Sequence, residues 1–277
     1  MPSCMRSSMS LAVLLLVAAG CAHKPLSSQA LDDTKLVAFI SRIEDEAGPK
    51  SNVFRNDGSY RDRLKRLDDK EGDRRLGNAL TVGSYEKAKS GELELTHHTI
   101  SRFEIADSLR SNTLADLPRQ APWSDVVHPV EVARVLESFL VHEVPANAPD
   151  YERLGALGAD TVVEIVIEEY GMRSEGGKAG TYMIGFARMF RINGAELYRR
   201  RFYSDDLKAG LEPMDPFAVR KNTELFGARI KQTVLAIAEQ VAKDLTPAER
   251  REAAPAKGTG QPRPTKSGEV PQSDDPL

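Results

Sequence analysis

The sequence predicts an α+β fold: an antiparallel or mixed sheet with a C-terminal hairpin, packed against a long C-terminal helix and one or two further helices. Three observations predict it. Residues 161–170 (TVVEIVIEEY) are dense in β-branched side chains, which suit a pleated, half-buried surface. Asn193-Gly194 separates two further strand-like runs, residues 181–192 and 195–203. That dipeptide is the strongest short hairpin signal, because a type I′ turn needs positive φ twice. Phe226, Ile230, Val234, Ile237, Val241 and Leu245 then make one apolar stripe at helical spacing.

The remaining elements follow along the chain. Residues 35–43 (KLVAFISRI) are apolar on both alternating faces, with Val37, Phe39 and Ser41 on one and Leu36, Ala38 and Ile40 on the other. This predicts an interior strand. Residues 48–60 hold Gly, Pro, Asn and Asp and predict a loop. Residues 61–76 are densely charged around Leu64, Leu67 and Leu76 and predict a solvated helix. Residues 83–91 are polar and predict irregular chain, residues 93–103 a strand, residues 106–117 a short helix.

Pro129 suits the first turn of a helix, and Val132, Val135, Leu136, Phe139 and Leu140 continue it at helical spacing. Pro145 and Pro149 end it. Residues 150–157 add a helical turn, and residues 171–180 predict a Gly-rich connection between two strands. Asp215-Pro216 opens the long last helix, Asp as cap and Pro at its first position. From Pro247 the chain is Pro, Gly, Lys, Ser and Asp with almost no large apolar residue, so residues 247–277 are predicted to be disordered. The body, residues 35–246, has the length of one domain.

The amino terminus carries an address. Arg6 is the one charge before an apolar run at residues 11–19 (LAVLLLVAA). A helix of that length rises about 14 Å, against a bilayer core of ~30 Å, so it engages export machinery without spanning. Residues 16–21 (LVAAGC) close the run with small residues before Cys21. They resemble the lipobox of bacterial lipoprotein precursors. The resemblance implies a signal peptide over residues 1–20 and diacylglycerol and an acyl chain on Cys21. It also implies a tether over residues 21–34 and anchoring at the periplasmic side of the outer membrane, since Ala22 follows the Cys. Ala18 departs from the Leu usual at that position, and a plain secretory signal cut near Ala19 is the alternative. With Cys4 removed and Cys21 acylated, no disulfide remains, and the fold rests on its apolar core.

The formal net charge is −3 and no basic block dominates, which argues against nucleic acid as a partner. Motifs that would carry chemistry are incomplete. His97-His98 on a strand would point to opposite faces and not share a metal ion; His128 and His142 stand alone. Gly176-Gly177-Lys178 lacks the other positions of a phosphate loop, which here are Met172 and Ala179. Glu164, Glu168 and Glu169 offer paired carboxylates with no convergent partners for acid–base work. The sequence therefore predicts no catalytic residue, metal or cofactor.

The hairpin does present a charge problem. A turn at Asn193-Gly194 sets Arg191 opposite Glu196 and Arg188 opposite Arg199, with Arg201 next on the same face. Like charges in direct opposition are destabilising. Glu164 and Glu168, on one face of the preceding strand, would compensate them internally, which is the favoured reading. The alternative makes Arg188, Arg199 and Arg201 a binding site for an anionic partner.

Residues 157–171 (LGADTVVEIVIEEYG) and the following hairpin resemble the periplasmic α/β lipoproteins that include penicillin-binding-protein activators and the curli secretion lipoprotein. The resemblance implies a non-enzymatic accessory or assembly module of the cell envelope, bound to an envelope protein or the cell wall. A subunit of an oligomeric secretion complex and a lipid-anchored enzyme are the alternatives.

Overall fold

A computed structural model describes residues 23–87, 93–141, 150–247 and 249–250. The export signal, Cys21, His142, Pro145, Pro149 and residues 251–277 lie outside them. The α+β class holds: five strands form a mixed sheet with helices on both sides.

The expected tether is instead part of the domain from Lys24 onward. Lys24 exchanges main-chain hydrogen bonds with Arg199 at 3.0 and 3.1 Å. A short helix, α1 (Ser28–Asp32), is capped by the Ser27 hydroxyl, and Leu26 and Leu31 are buried beside it. Two leucines in a polar stretch carry too little periodicity to show this in the sequence, but they are enough to dock the segment.

Strand β1 (Val37–Ile43) follows. It was expected in the sheet interior; it lies at the edge, with only an isolated bridge from Val37 to Val126 on its outer side. Its side chains are buried on both faces because helices cover both, so burial here marks layers and not strand neighbours. The expected loop at residues 48–60 holds β2 (Lys50–Asn52), α2 (Val53–Asn56) and the start of α3 (Gly58–Arg66), which Asp57 caps. Val53 and Phe54 are buried there. The charged run beyond is two helices, since α3 ends at Leu67 and α4 (Gly72–Val82) begins after a turn with Asp68 at φ 49°.

Strands β3 (Ser84–Lys87) and β4 (Leu93–His97) pair as a separate ribbon. The expected strand at residues 93–103 is cut short by α5 (Arg102–Asp116), whose capping box joins Ser101 and Glu104. Helix α6 (Pro129–Val141) starts at Pro129 as expected, and a 3-10 helix spans Tyr151–Leu157.

The main sheet is completed by β5 (Thr161–Glu175), β6 (Lys178–Arg191) and β7 (Glu196–Asp205), in the order β1-β5-β6-β7, with β2 also parallel to β5. The expected connection at residues 171–180 is mostly strand. Only Gly176-Gly177 turns, with φ of 58° and 76°. Gly171 lets the ladder continue, because a Cβ there would sit 2.0 Å from the Lys50 carbonyl oxygen on β2. Glu168 is an extra residue between the pairs Ile167–Gly185 and Glu169–Ile184. Before this bulge Val163, Ile165 and Ile167 enter the main core; after it Tyr170 and Met172 do.

The second hairpin differs from expectation in its turn. Gly194 has φ 91° and Asn193 is not in the positive-φ region. Arg191 N–H donates to Ala195 O and Gly194 N–H to Arg191 O, both at 2.8 Å, which closes a three-residue loop. Phe190 therefore stands opposite Glu196, where Arg191 was expected. A compensating bulge at Leu197 restores the expected register, and Arg188 stands opposite Arg199.

The last helix is two. Asp215 and Pro216 open only α7 (Pro216–Lys221), and α8 (Glu224–Asp244) begins after Thr223. The break is held from outside: Thr223 N–H donates to Ser84 Oγ at 3.1 Å and its hydroxyl to His97 O at 3.2 Å. The α8 stripe is buried from Phe226 to Leu245 against the β5–β7 side of the sheet, with α5 alongside. Residues after Pro247 were expected to be disordered, but Glu249 accepts from Ser28 Oγ at 2.9 Å, and Arg250 pairs with Asp32 and donates to Ala121 O at 2.9 Å. The α6 side of the sheet has its own smaller core around Ala38, Ile40, Val162 and Leu154.

Candidate functional site

The sheet face opposite α8 carries the charges singled out in the sequence. In an antiparallel ladder, directly opposed side chains share a face. The pairs Lys24–Arg199, Arg199–Arg188 and Arg188–Glu164 therefore make one row across the sheet. Three cations and one carboxylate stand in it. The α6 end of this face is covered, and the β7 end is open: Arg199 and Arg201 are exposed and Tyr203 is 46 % exposed.

Glu164 is the fixed point. Its side chain is 0 % exposed. It accepts from Arg42 Nε at 2.8 Å, from Arg188 Nε and from the Tyr151 hydroxyl. Burial opposes its charge, but the hydrogen bonds from Arg42 and Tyr151 and the two guanidinium charges outweigh it and hold its carboxyl below the usual range. Burial, and then Glu164 itself, push the Tyr151 hydroxyl well up. Arg188 also lies over the Phe190 ring, 4.8 Å from its centroid.

Sequence reasoning set Glu164 and Glu168 beside Arg188, Arg199 and Arg201; the structure pairs Arg188 with Glu164 and Arg201 with Glu168, but Arg199 with Glu196 of its own strand. It missed Arg42 and Tyr151, which come from other elements. The one signal was a Glu inside an otherwise apolar strand, which demands a buried partner. It also missed Lys24, the third cation of the row.

Relief of the charges is uneven. Arg188 has Glu164 at close range. Arg199 reaches Glu196 only at 3.5 Å and lies 5.1 Å from the Phe186 ring centroid. Lys24 gives its ammonium to the main-chain oxygen of Glu196, which carries no net charge. Just past the end of β7, Lys208 Nζ stands 4.6 Å over the ring of Tyr203. The row thus ends, on its open side, in two cations, of which Arg199 alone reaches a carboxylate.

The other candidates are separated. Glu169 is bound to Lys50 at 2.8 Å and Tyr182 at 2.7 Å, away from Glu164. His97 Nδ1 lies 3.4 Å from Glu224, and His128 Nδ1 accepts from Val130 N–H at the start of α6. The Gly177 N–H, in the phosphate-loop-like triplet, donates to Asp57 at 2.7 Å. Among the described residues no three His, Cys, Asp or Glu side chains gather as metal ligands. A shallow depression between α7 and α8, lined by Met214, Val219, Leu225 and Arg229, is remote from the charged row.

No family model and no curated protein matches the chain. Among solved structures it is similar to protein XCC0632 of Xanthomonas campestris, a DUF330 protein, with 11% identity over 83% of this chain and 90% of that one, at a TM-score of 0.35. It is similar to hypothetical protein CT253 of Chlamydia trachomatis, with 14% identity over 76% and 98% at 0.34. It is similar to lipoprotein GNA1162 of Neisseria meningitidis, with 12% identity over 76% and 99% at 0.27. Scores this low assign neither a family nor a function.

Proposed function

We propose that the chain is a bacterial lipoprotein, anchored through lipid on Cys21 at the periplasmic side of the outer membrane, where it acts as a non-enzymatic binding or assembly module of the envelope. The observation that carries this reading is LVAAGC ending three residues before Lys24, which is laddered onto β7. Three residues reach at most about 11 Å, so a lipid on Cys21 seats the domain directly on its membrane. Two or more acyl chains are enough for stable anchoring. The charged row supports a binding role: its β7 end presents the exposed Arg199 and Arg201, while the carboxylate in the row, Glu164, is fully enclosed and already bound by two guanidinium groups.

Intact-mass measurement of the mature protein tests the reading. The expected species begins at Cys21 and carries a diacylglycerol and an acyl chain, and Cys21→Ala abolishes both. A mature chain cut near Ala19 with no fatty acid overturns it. Crosslinking in whole envelopes, native against Cys21→Ala, then identifies the envelope protein or cell-wall partner.

A second reading, a subunit of an oligomeric envelope complex, is favoured by one feature. Beyond Arg199 no described strand pairs with the outer edge of β7, and an open edge is a template for another chain. Mass measured in detergent separates a monomer from a ring.

A further inference from the structure

We infer that the open β7 end of the charged row, Lys24 with Arg199, Arg201 and the neighbouring Tyr203 and Lys208, is the surface by which the domain lies on its membrane, binding the anionic headgroups of the leaflet that holds its anchor. The inference rests on the reading of Cys21 as the lipid attachment site.

Position carries the first part. The anchor leaves the domain at Lys24, and Lys24 is directly opposite Arg199. Whatever face the Lys24 side chain shares is the face nearest the lipid. Antiparallel opposition makes that the face of Arg199 and Arg188, and two-residue periodicity adds Arg201 and Tyr203 along β7.

Charge carries the second part. Lys24 gives its ammonium to the main-chain oxygen of Glu196, and the Glu196 carboxylate is 3.5 Å from the Arg199 guanidinium. Arg201 is compensated by Glu168, and its side chain is still 56 % exposed. Lys208 has a ring and no carboxylate among the described residues. A chain with a net charge of −3 has thus set incompletely compensated positive charge beside its proposed anchor. Phosphate oxygens accept from guanidinium in a bidentate manner and replace a long ion pair readily. Tyr203, half exposed with a polar tip, is a side chain suited to the headgroup zone. Arg188 is excluded from the contact, because Glu164 already holds it from below.

The test uses the full chain carrying Cys21→Ala, so that acylation plays no part, and reads its partition onto vesicles of phosphatidylcholine with and without phosphatidylglycerol. Lys24→Gln with Arg199→Gln is compared with Lys221→Gln with Lys231→Gln, an equal charge change on α7 and α8. Each cation near an anionic surface is worth about a fivefold change in partition. The expected result is a loss of about twenty-five-fold on anionic vesicles for the first pair, little change for the second, and little change for either on neutral vesicles. The loss should also shrink as salt is raised. Binding to anionic vesicles that is equal for the two pairs, or native binding that ignores phosphatidylglycerol, overturns the inference. The emission of Trp123, buried against Phe39, confirms that each variant is folded. Mass measurement at Cys21 judges the anchoring itself, so the two results stand apart.

Discussion

Arg188 of β6 and Arg199 of β7 stand directly opposite each other, and each is relieved from a different side. Arg188 turns inward to a fully buried Glu164, and Arg199 lies outward on the Phe186 ring. Cross-strand repulsion is thereby converted into a polarity across the sheet, ion-paired and locked at the centre, cationic and open at the edge. Several consequences are measurable, with Trp123, the single tryptophan, as a built-in reporter of unfolding.

Glu164→Gln leaves Arg42 and Arg188 facing a neutral group at close range. Breaking a buried pair in this way costs about 3 kcal/mol or more, to be read as a shift in the urea midpoint at pH 7. The effect depends on pH in a defined direction. The folded carboxyl lies below the ordinary value of 4.5. Its contribution is therefore complete above that value and is lost as pH falls through the folded one. The gap between native and Glu164→Gln protein should be widest near neutrality and close in acid; a gap constant with pH contradicts the ion-pair account.

Leu31→Ala tests whether the amino-terminal segment belongs to the body. Leu31 is 1 % exposed, and emptying such a site costs about 2–5 kcal/mol. A mere tether would leave the urea midpoint where it was.

Gly185→Ala should cost about 1–3 kcal/mol through overpacking. An added Cβ would stand 2.0 Å from the Val166 carbonyl oxygen and 2.5 Å from the Phe202 ring. Thermal melting of the purified variant measures the loss, and a midpoint unchanged from the native protein contradicts this packing.

Ser101→Ala removes one half of the α5 capping box, in which Ser101 Oγ accepts from Glu104 N–H at 3.1 Å. About 1 kcal/mol should be lost. Hydrogen exchange should show the first turn of α5 opening before the rest of the helix.

What the sequence revealed followed the strength of local pattern. The β-branched run before Tyr170, the Asn193-Gly194 turn and the Phe226–Leu245 stripe were each legible because periodicity and turn chemistry agree there. Val53 and Phe54 were not, since two apolar residues among Gly, Pro, Asn and Asp have no period to display. The break before Glu224 was hidden because Ser84 and His97, far away in sequence, hold Thr223 in place. The same limit applies to the charged row. Opposition of Arg188 and Arg199 was legible from the hairpin alone, and it survived a mistaken turn type because a second bulge cancelled the first. Arg42, Tyr151 and Lys24 join the row through tertiary packing, and nothing near them in sequence announces it.

The extra residue at Glu168 gives β5 two opposite lives along one strand. Excising it would close the ladder, setting Glu169 directly after Ile167 and opposite Ile184. Tyr170 and Met172 would keep to the core face and Glu169 and Arg173 to the other, at regular two-residue spacing. A deletion of one codon would thus straighten the longest strand at the loss of the Glu168–Arg201 pair, while one further codon added there would turn its far half inside out.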